Sequence, residues 1–328
     1  MNINIYDKNL DRIAIVENRF VSCFWSEGYN TAEPFTLELQ ETDEYKKKIR
    51  PGCFVGRSDR RAIMVISTVE CRNGTIVATG RQAAGLFADV AFVGEVEPGK
   101  TVDKAVLEAY NKTSKCVNIE FAESSLTATY DETITNMSML NIIELVTQSK
   151  DVGFRVVKNG KKLAAEFYQP TDENPHRLAK WFGNVDVHSV VLSVANLKNY
   201  AIVIGADRSG NQVIVHVDET NGDDRKELVI ESGESQQYGE SAAKFEERLK
   251  AVGHETLNER KRTWSADFSP VGSGFGEKYD IGDFVHLTLP DYGLSFVARV
   301  MRFREIEQHN TNSITVSVGE ITIIRRKK

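Results

Sequence analysis

Residues 154–167 read Phe154-Arg155-Val156-Val157-Lys158-Asn159-Gly160-Lys161-Lys162-Leu163-Ala164-Ala165-Glu166-Phe167, two apolar-rich runs either side of an Asn-Gly pair. Asn-Gly supplies the positive φ angles of a type I′ turn at little cost, so the stretch predicts an antiparallel hairpin. The pattern recurs. Ala62-Ile63-Met64-Val65-Ile66 leads through Asn73-Gly74 to Thr75-Ile76-Val77-Ala78, and the run from Tyr200 to Ile204 turns at Ser209-Gly210 into Val213-Ile214-Val215-His216-Val217. Alternating runs return over 283–289, 295–304 and 313–324. Period-two alternation bounded by turn residues predicts antiparallel strands.

Helical spacing is rarer. Val102, Ala105, Val106 and Ala109 fall at i, i+3, i+4 and i+7; Met139, Leu140, Ile143 and Val146 predict a second helix over 137–149. The third is the clearest: over 241–258, Phe245, Leu249 and Val252 form an apolar stripe opposite Lys244, Glu246, Glu247 and Lys250, with Ser241 as N-cap. Strands and helices do not alternate regularly, which disfavours a doubly wound parallel sheet. The expected class is β-rich α+β.

The chain has 328 residues, 41 Lys+Arg against 47 Asp+Glu, and a net charge of −6. That length exceeds what one core usually supports, so more than one packed unit is expected. A pI near 5.7 argues against a protein whose main task is to hold nucleic acid by its phosphates. No run approaches the roughly 18 apolar residues of a membrane helix. The N-terminus alternates like a first strand and lacks the charged-then-apolar order of a secretion signal. Cysteines 23, 53, 71 and 116 form no CxxC pair and read as reduced, small hydrophobes.

The candidate chemical motifs fail on spacing. His254-Glu255-Thr256-Leu257-Asn258 places asparagine where a zinc-protease helix needs its second histidine. His176, His188, His216, His286 and His309 stand singly, so no metal site is expected. Gly239-Glu240-Ser241-Ala242-Ala243 resembles a nucleophile elbow but follows loop-like sequence, and an N-cap explains the serine. Gly272-Ser273-Gly274-Phe275-Gly276 lacks a P-loop lysine, and Asp218-Glu219-Thr220-Asn221-Gly222-Asp223-Asp224 lacks EF-hand spacing. No catalytic, cofactor-binding or metal-binding residue is nominated.

Four stretches carry a resemblance: Val77–Phe87, Leu140–Phe167, Ser193–Ala206, and Leu249–Leu257 followed by Tyr279-Asp280-Ile281-Gly282-Asp283-Phe284-Val285. In order and phrasing the chain resembles the baseplate-hub proteins at the tail tip of long-tailed bacteriophages and prophages. The last stretch is the most telling, a helix followed later by a Tyr-Asp-hydrophobic-Gly-Asp turn that opens the final strands.

The resemblance implies two antiparallel β-barrel hub domains with a small inserted α+β domain. The first barrel would be 1–97, the insert 98–185 with 238–262, and the second barrel 186–232 with 264–328. It implies a non-enzymatic homotrimer in the virion tail, forming a ring that adapts the tail tube to the tip and takes part in host attachment and DNA ejection. Its partners would be the tail tube or distal tail protein, the tape-measure protein, and tip or receptor-binding proteins. The closing Arg325-Arg326-Lys327-Lys328 reads as a solvated tail. Two alternatives compete: a carbohydrate-binding tail or surface protein, with Trp25, Trp181 and Tyr292 as stacking candidates, and a peptidoglycan or glycoside hydrolase with spatially paired carboxylates.

Overall fold

The computed structural model describes residues 2–17, 20–115, 117–170, 175–272, 274–308 and 311–322. Cys116, Ser273, His309 and the basic tail at 325–328 lie outside them. The chain forms two compact units, residues 1–189 with 266–328, and residues 190–265.

The larger unit opens with seven antiparallel strands: β1 (Asn2–Tyr6), β2 (Arg12–Glu17), β3 (Phe20–Gly28), β4 (Pro34–Gln40), β5 (Phe54–Arg57), β6 (Ile63–Arg72) and β7 (Thr75–Gln82). A short helix, α1 (Asp43–Lys48), is capped by the Thr42 hydroxyl, which accepts from the Tyr45 amide. Between β6 and β7, Asn73 and Gly74 are both left-handed (φ 50° and 76°) inside the closing pair Arg72–Thr75, as a type I′ turn requires.

An α+β layer follows: β8 (Ala91–Val96), β9 (Lys100–Thr101), α2 (Val102–Asn111), β10 (Ile119–Phe121), β11 (Thr129–Tyr130), β12 (Ile134–Ser138), α3 (Met139–Lys150), β13 (Gly153–Asn159) and β14 (Lys162–Tyr168). Its core gathers Phe87, Val102, Val106, Ile142, Ile143, Val146, Phe154 and Phe167. The β13–β14 hairpin forms, but Asn159 pairs with Lys162, so the loop is Gly160-Lys161 and only Gly160 is left-handed. The loop thus lies one residue beyond the Asn-Gly expectation.

β15 (His176–Ala179) belongs to the larger unit, and β16 (Val185–Ser193) runs from it into the smaller one. There β17 (Tyr200–Ala206) lies between antiparallel β18 (Gln212–Asp218) and parallel β19 (Glu227–Ser235), and α4 (Ala242–Asn258) covers one face. Phe245, Leu249 and Leu257 pack on Ala201, Val203, Val215 and Val217. At Gly253 a Cβ would stand 2.6 Å from the Val217 side chain, so glycine permits the close approach. Ser241 caps α4 by accepting from the Lys244 amide at 3.3 Å. The domain division expected from sequence changes here. The segment 238–262 joins the strands of 200–235 rather than the 98–185 layer, because the apolar stripe of α4 matches the apolar face of that adjacent three-stranded sheet.

The chain returns to the larger unit in β20 (Thr263–Pro270), β21 (Phe284–Leu289), β22 (Leu294–Gln308) and β23 (Thr311–Thr322). Neither β1–β7 nor these strands close into a barrel among the described residues, so the two barrels expected from sequence are absent there. Among the described residues one 13-stranded sheet runs β16-β20-β23-β22-β3-β4-β7-β6-β5-β1-β2, with β21 on β22 and β15 on β21, and the path does not close. The cause is the length of β22. Its 15 residues let one half pair with β21 while the other, Arg302–Gln308, takes Ser22–Gly28 of β3. Three pairings are parallel where antiparallel was expected: β15–β21, β10–β14 and β17–β19.

Leu249→Ala should cost about 2–5 kcal/mol, the usual loss for a fully buried leucine. Hydrogen exchange should accelerate across 200–258 and stay unchanged in β3, β4 and β22.

Candidate functional site

The turn Tyr279–Asp283 is where the larger unit concentrates its buried polar chemistry. Gly282 is left-handed (φ 93°), and a Cβ on it would stand 2.8 Å from the Tyr29 ring, so local conformation and close approach both call for glycine. The Asp283 carboxylate accepts from the Asp280 amide at 2.9 Å, closing the turn on itself. Four contacts then tie it outward. Tyr168 of β14 donates to the Ile281 carbonyl at 3.2 Å, and Arg299 of β22 to the Gly282 carbonyl. Tyr279 stacks on His176 of β15 (5.3 Å, 15°), and Asp280 accepts from Arg60 at 3.0 Å.

Arg60 is the centre of this arrangement. Its Nε and one terminal nitrogen donate to the two carboxylate oxygens of Glu27 on β3, both at 2.8 Å. Glu27 also accepts from Trp25 Nε1 at 2.7 Å. The guanidinium lies over Phe275 and Phe303, 5.0 and 4.7 Å from their centroids, and those rings are themselves stacked. Burial alone would lower the Arg60 pKa, but the charges of Glu27 and Asp280 outweigh it and raise it. Nearby, Arg57 of β5 pairs with Asp59 at 2.6 Å and with Glu305 of β22 at 2.5 Å, over the Trp25 ring. Arg299 stands over Tyr29 and Phe284 and is paired with Asp151.

These groups face one another. Each arginine meets a carboxylate, Glu27 and Glu305 from β3 and β22 and Asp59, Asp151 and Asp280 from the turns between elements, so the geometry fastens separate segments together. Burial raises the Cys23 thiol to about 12, which leaves it a neutral core group. Among the described residues no three His, Cys, Asp or Glu side chains gather as a metal-binding cluster.

The residues singled out from sequence are dispersed. His254 bonds Glu219 at 2.7 Å on the exposed side of α4, His188 bonds Ser269, and His216 bonds Tyr200. Asp218 accepts from the amide and hydroxyl of Thr220 in its own loop. Trp25 is fully buried and is removed as a stacking candidate; Trp181 and Tyr292 are about 60% exposed. The buried ionic groups escaped sequence reading because Glu27, Arg60 and Asp280 stand far apart in the chain. The one available signal was the Asp-x-Gly-Asp phrase at 280–283.

The Siphovirus ReqiPepy6 Gp37-like protein family matches residues 113–320. Three solved structures share the fold over nearly the whole chain. A tail protein from Neisseria meningitidis MC58 is 12% identical with a TM-score of 0.60, covering 98% of this chain and 96% of that one. The 43 kDa tail protein of prophage MuSo2 from Shewanella oneidensis is 10% identical with a TM-score of 0.59, covering 98% of each. Prophage tail protein gp18 from Listeria monocytogenes EGD-e is 13% identical with a TM-score of 0.57, covering 97% and 94%. No curated protein sequence matches the chain.

Two outcomes follow from the geometry. Arg60→Met should destabilise the protein by about 3–5 kcal/mol in urea unfolding, because it strands the buried Glu27 charge. Adding Glu27→Gln, which keeps an acceptor for Trp25, should recover much of that loss. His176 has its pKa lowered from 6.5 by burial and by Lys278. The unfolded chain therefore binds this proton first, and stability should fall as pH drops below about 6.5. His176→Phe should flatten that part of a melting-temperature profile recorded from pH 8 to 5.

Proposed function

The chain belongs to the Siphovirus ReqiPepy6 Gp37-like protein family, and from that premise we propose that it is a structural component of a phage tail, acting as the baseplate hub at the tail tip. The observation that carries this reading is the near end-to-end sharing of its fold with three phage or bacterial tail proteins. The site chemistry supports it too: the largest buried polar investment ties strands to strands, as a load-transmitting part would need.

In this reading three copies form a ring that adapts the tail tube to the tip. Among the described residues the large sheet ends at β2 and β16, which supports a ring, since strand edges left unpaired there are ready for a second chain and repeated head-to-tail contact can close on itself. The ring would contact the tail tube or distal tail protein, the tape-measure protein, and tip or receptor-binding proteins. It would reside in the virion and take part in attachment and DNA ejection. The net charge of −6 suits a lining past which a polyanion must move without adhering.

Light scattering after size exclusion, across a range of protein concentrations, should approach three times 36.8 kDa at the high end. A strict monomer at every concentration, together with absence of the chain from purified tails by mass spectrometry, overturns the reading.

A further inference from the structure

In register, Ala179 of β15 lies beside Thr288 of β21, and the two strands run parallel. Both leave the sheet at the same end, and both break into a single 3-10 turn: Lys180–Phe182 and Pro290–Tyr292. Each turn is closed by a left-handed glycine, Gly183 (φ 64°) and Gly293 (φ 62°), whose amide donates to the carbonyl of Lys180 or Pro290 at 3.0 and 2.9 Å. The two turns are copies of one device, and each holds aromatic side chains out to solvent. Trp181 is 59% exposed, Phe182 57% and Tyr292 61%, with Trp181 and Phe182 set edge to face at 5.8 Å. Exposed aromatics on two neighbouring turns mark a contact surface.

Lys180 of the first turn and Tyr292 of the second line a groove of about 110 Å³, together with Asp186, His188, Ser189 and Asp291 among others. Its polar groups decide the ligand. Asp186 and Asp291 meet no ion-pair partner among the described residues, so two carboxylates stand ready to accept. The Ser269 hydroxyl donates to the Ile314 carbonyl and so accepts from His188 Nε2, and the other ring nitrogen, Nδ1, has no hydrogen-bond partner among the described residues. Lys180 in the same groove offsets part of the negative charge and offers donors. A protein interface would deplete charge at its centre. A polyhydroxylated ring instead uses flat apolar faces beside fixed acceptors and donors.

We infer that this end of the sheet is a carbohydrate-contact site, in which Tyr292 stacks on a sugar ring whose hydroxyls bond Asp186, Asp291 and His188, while Trp181 on the neighbouring turn meets a further ring of the same glycan. The groove is small, so it grips one ring of a longer glycan rather than enclosing a ligand. The site extends the chain's role beyond assembly and does not depend on the ring, so the two readings fail separately.

The test titrates the full-length protein with oligosaccharides of N-acetylglucosamine, glucose, galactose and rhamnose, following tryptophan fluorescence and isothermal heat. Saturable binding to at least one is expected. It should weaken by roughly tenfold or more in Trp181→Ala and in Tyr292→Ala, with Trp181→Phe retaining part of the affinity. Both side chains are exposed, so melting temperatures should match the parent. Absence of binding to every sugar overturns the site, as does binding that survives both alanine variants. A basic peptide that binds in a Trp181-dependent way while no sugar does assigns the surface to a protein partner and also overturns it.

Discussion

The guanidinium of Arg60, held between Glu27 and Asp280 and pressed against two stacked phenylalanines, is the constraint on which the larger unit depends. Glu27 belongs to β3, near the start of the chain, and Asp280 to the turn before the last strands. The ion pair therefore joins segments that meet only after some 250 residues of intervening chain have been accommodated. A buried ion pair adds little net stability over an apolar replacement, because desolvation offsets the attraction. What it fixes is position. β3 and β22 pair from Ser22–Gln308 to Gly28–Arg302, and a slip of one residue would turn Glu27 and Glu305 away from Arg60 and Arg57. The buried apolar side chains of the same strands resist that slip too, since it would turn them to solvent.

Much of the local structure was legible in the sequence. Asn73-Gly74 adopts the turn its residues dictate, Ser241 caps α4 as its position suggests, and the alternation in 200–217 corresponds to β17 and β18. The phrase Tyr279–Val285 carries the family resemblance, and its turn is where contacts from β14, β15, β22 and the β5–β6 loop converge. What stayed hidden was long-range pairing. Nothing in the composition of β22 says that half of it faces β21 and half faces β3. Alternation likewise does not distinguish β19 beside β17 in parallel from an antiparallel neighbour. Trp25 shows the limit most sharply. Its type suggested a stacking residue, whereas its indole nitrogen is satisfied by Glu27, two positions along the same strand, and its ring lies under Arg57.

The smaller unit follows a different logic. Its core is almost wholly apolar, seven buried side chains from two strands and one helix, and close packing at Gly253 replaces the ionic ties of the larger unit. Contacts there are local in sequence, spanning 201–257 without a return from the termini, so its topology needs no distant charge pair to select a register. The larger unit, whose sheet draws strands from both ends of the chain, has that need and meets it with Arg57, Arg60 and Arg299.

This division bears on where function resides. Buried arginines already matched by carboxylates are poor ligands for anything outside, so recognition falls to groups the fold holds rigid yet leaves unmatched. The two 3-10 turns after β15 and β21 have both properties: a left-handed glycine and one backbone hydrogen bond fix each, and their aromatic rings lie open. β15 and β21 are anchored in turn by the His176–Tyr279 stack, which reaches back through Asp280 to Arg60. Chain connectivity thus links the interior ionic contacts to the exposed aromatic turns: His176 opens β15 and Tyr279 precedes β21, the two strands that lead to Trp181 and Tyr292.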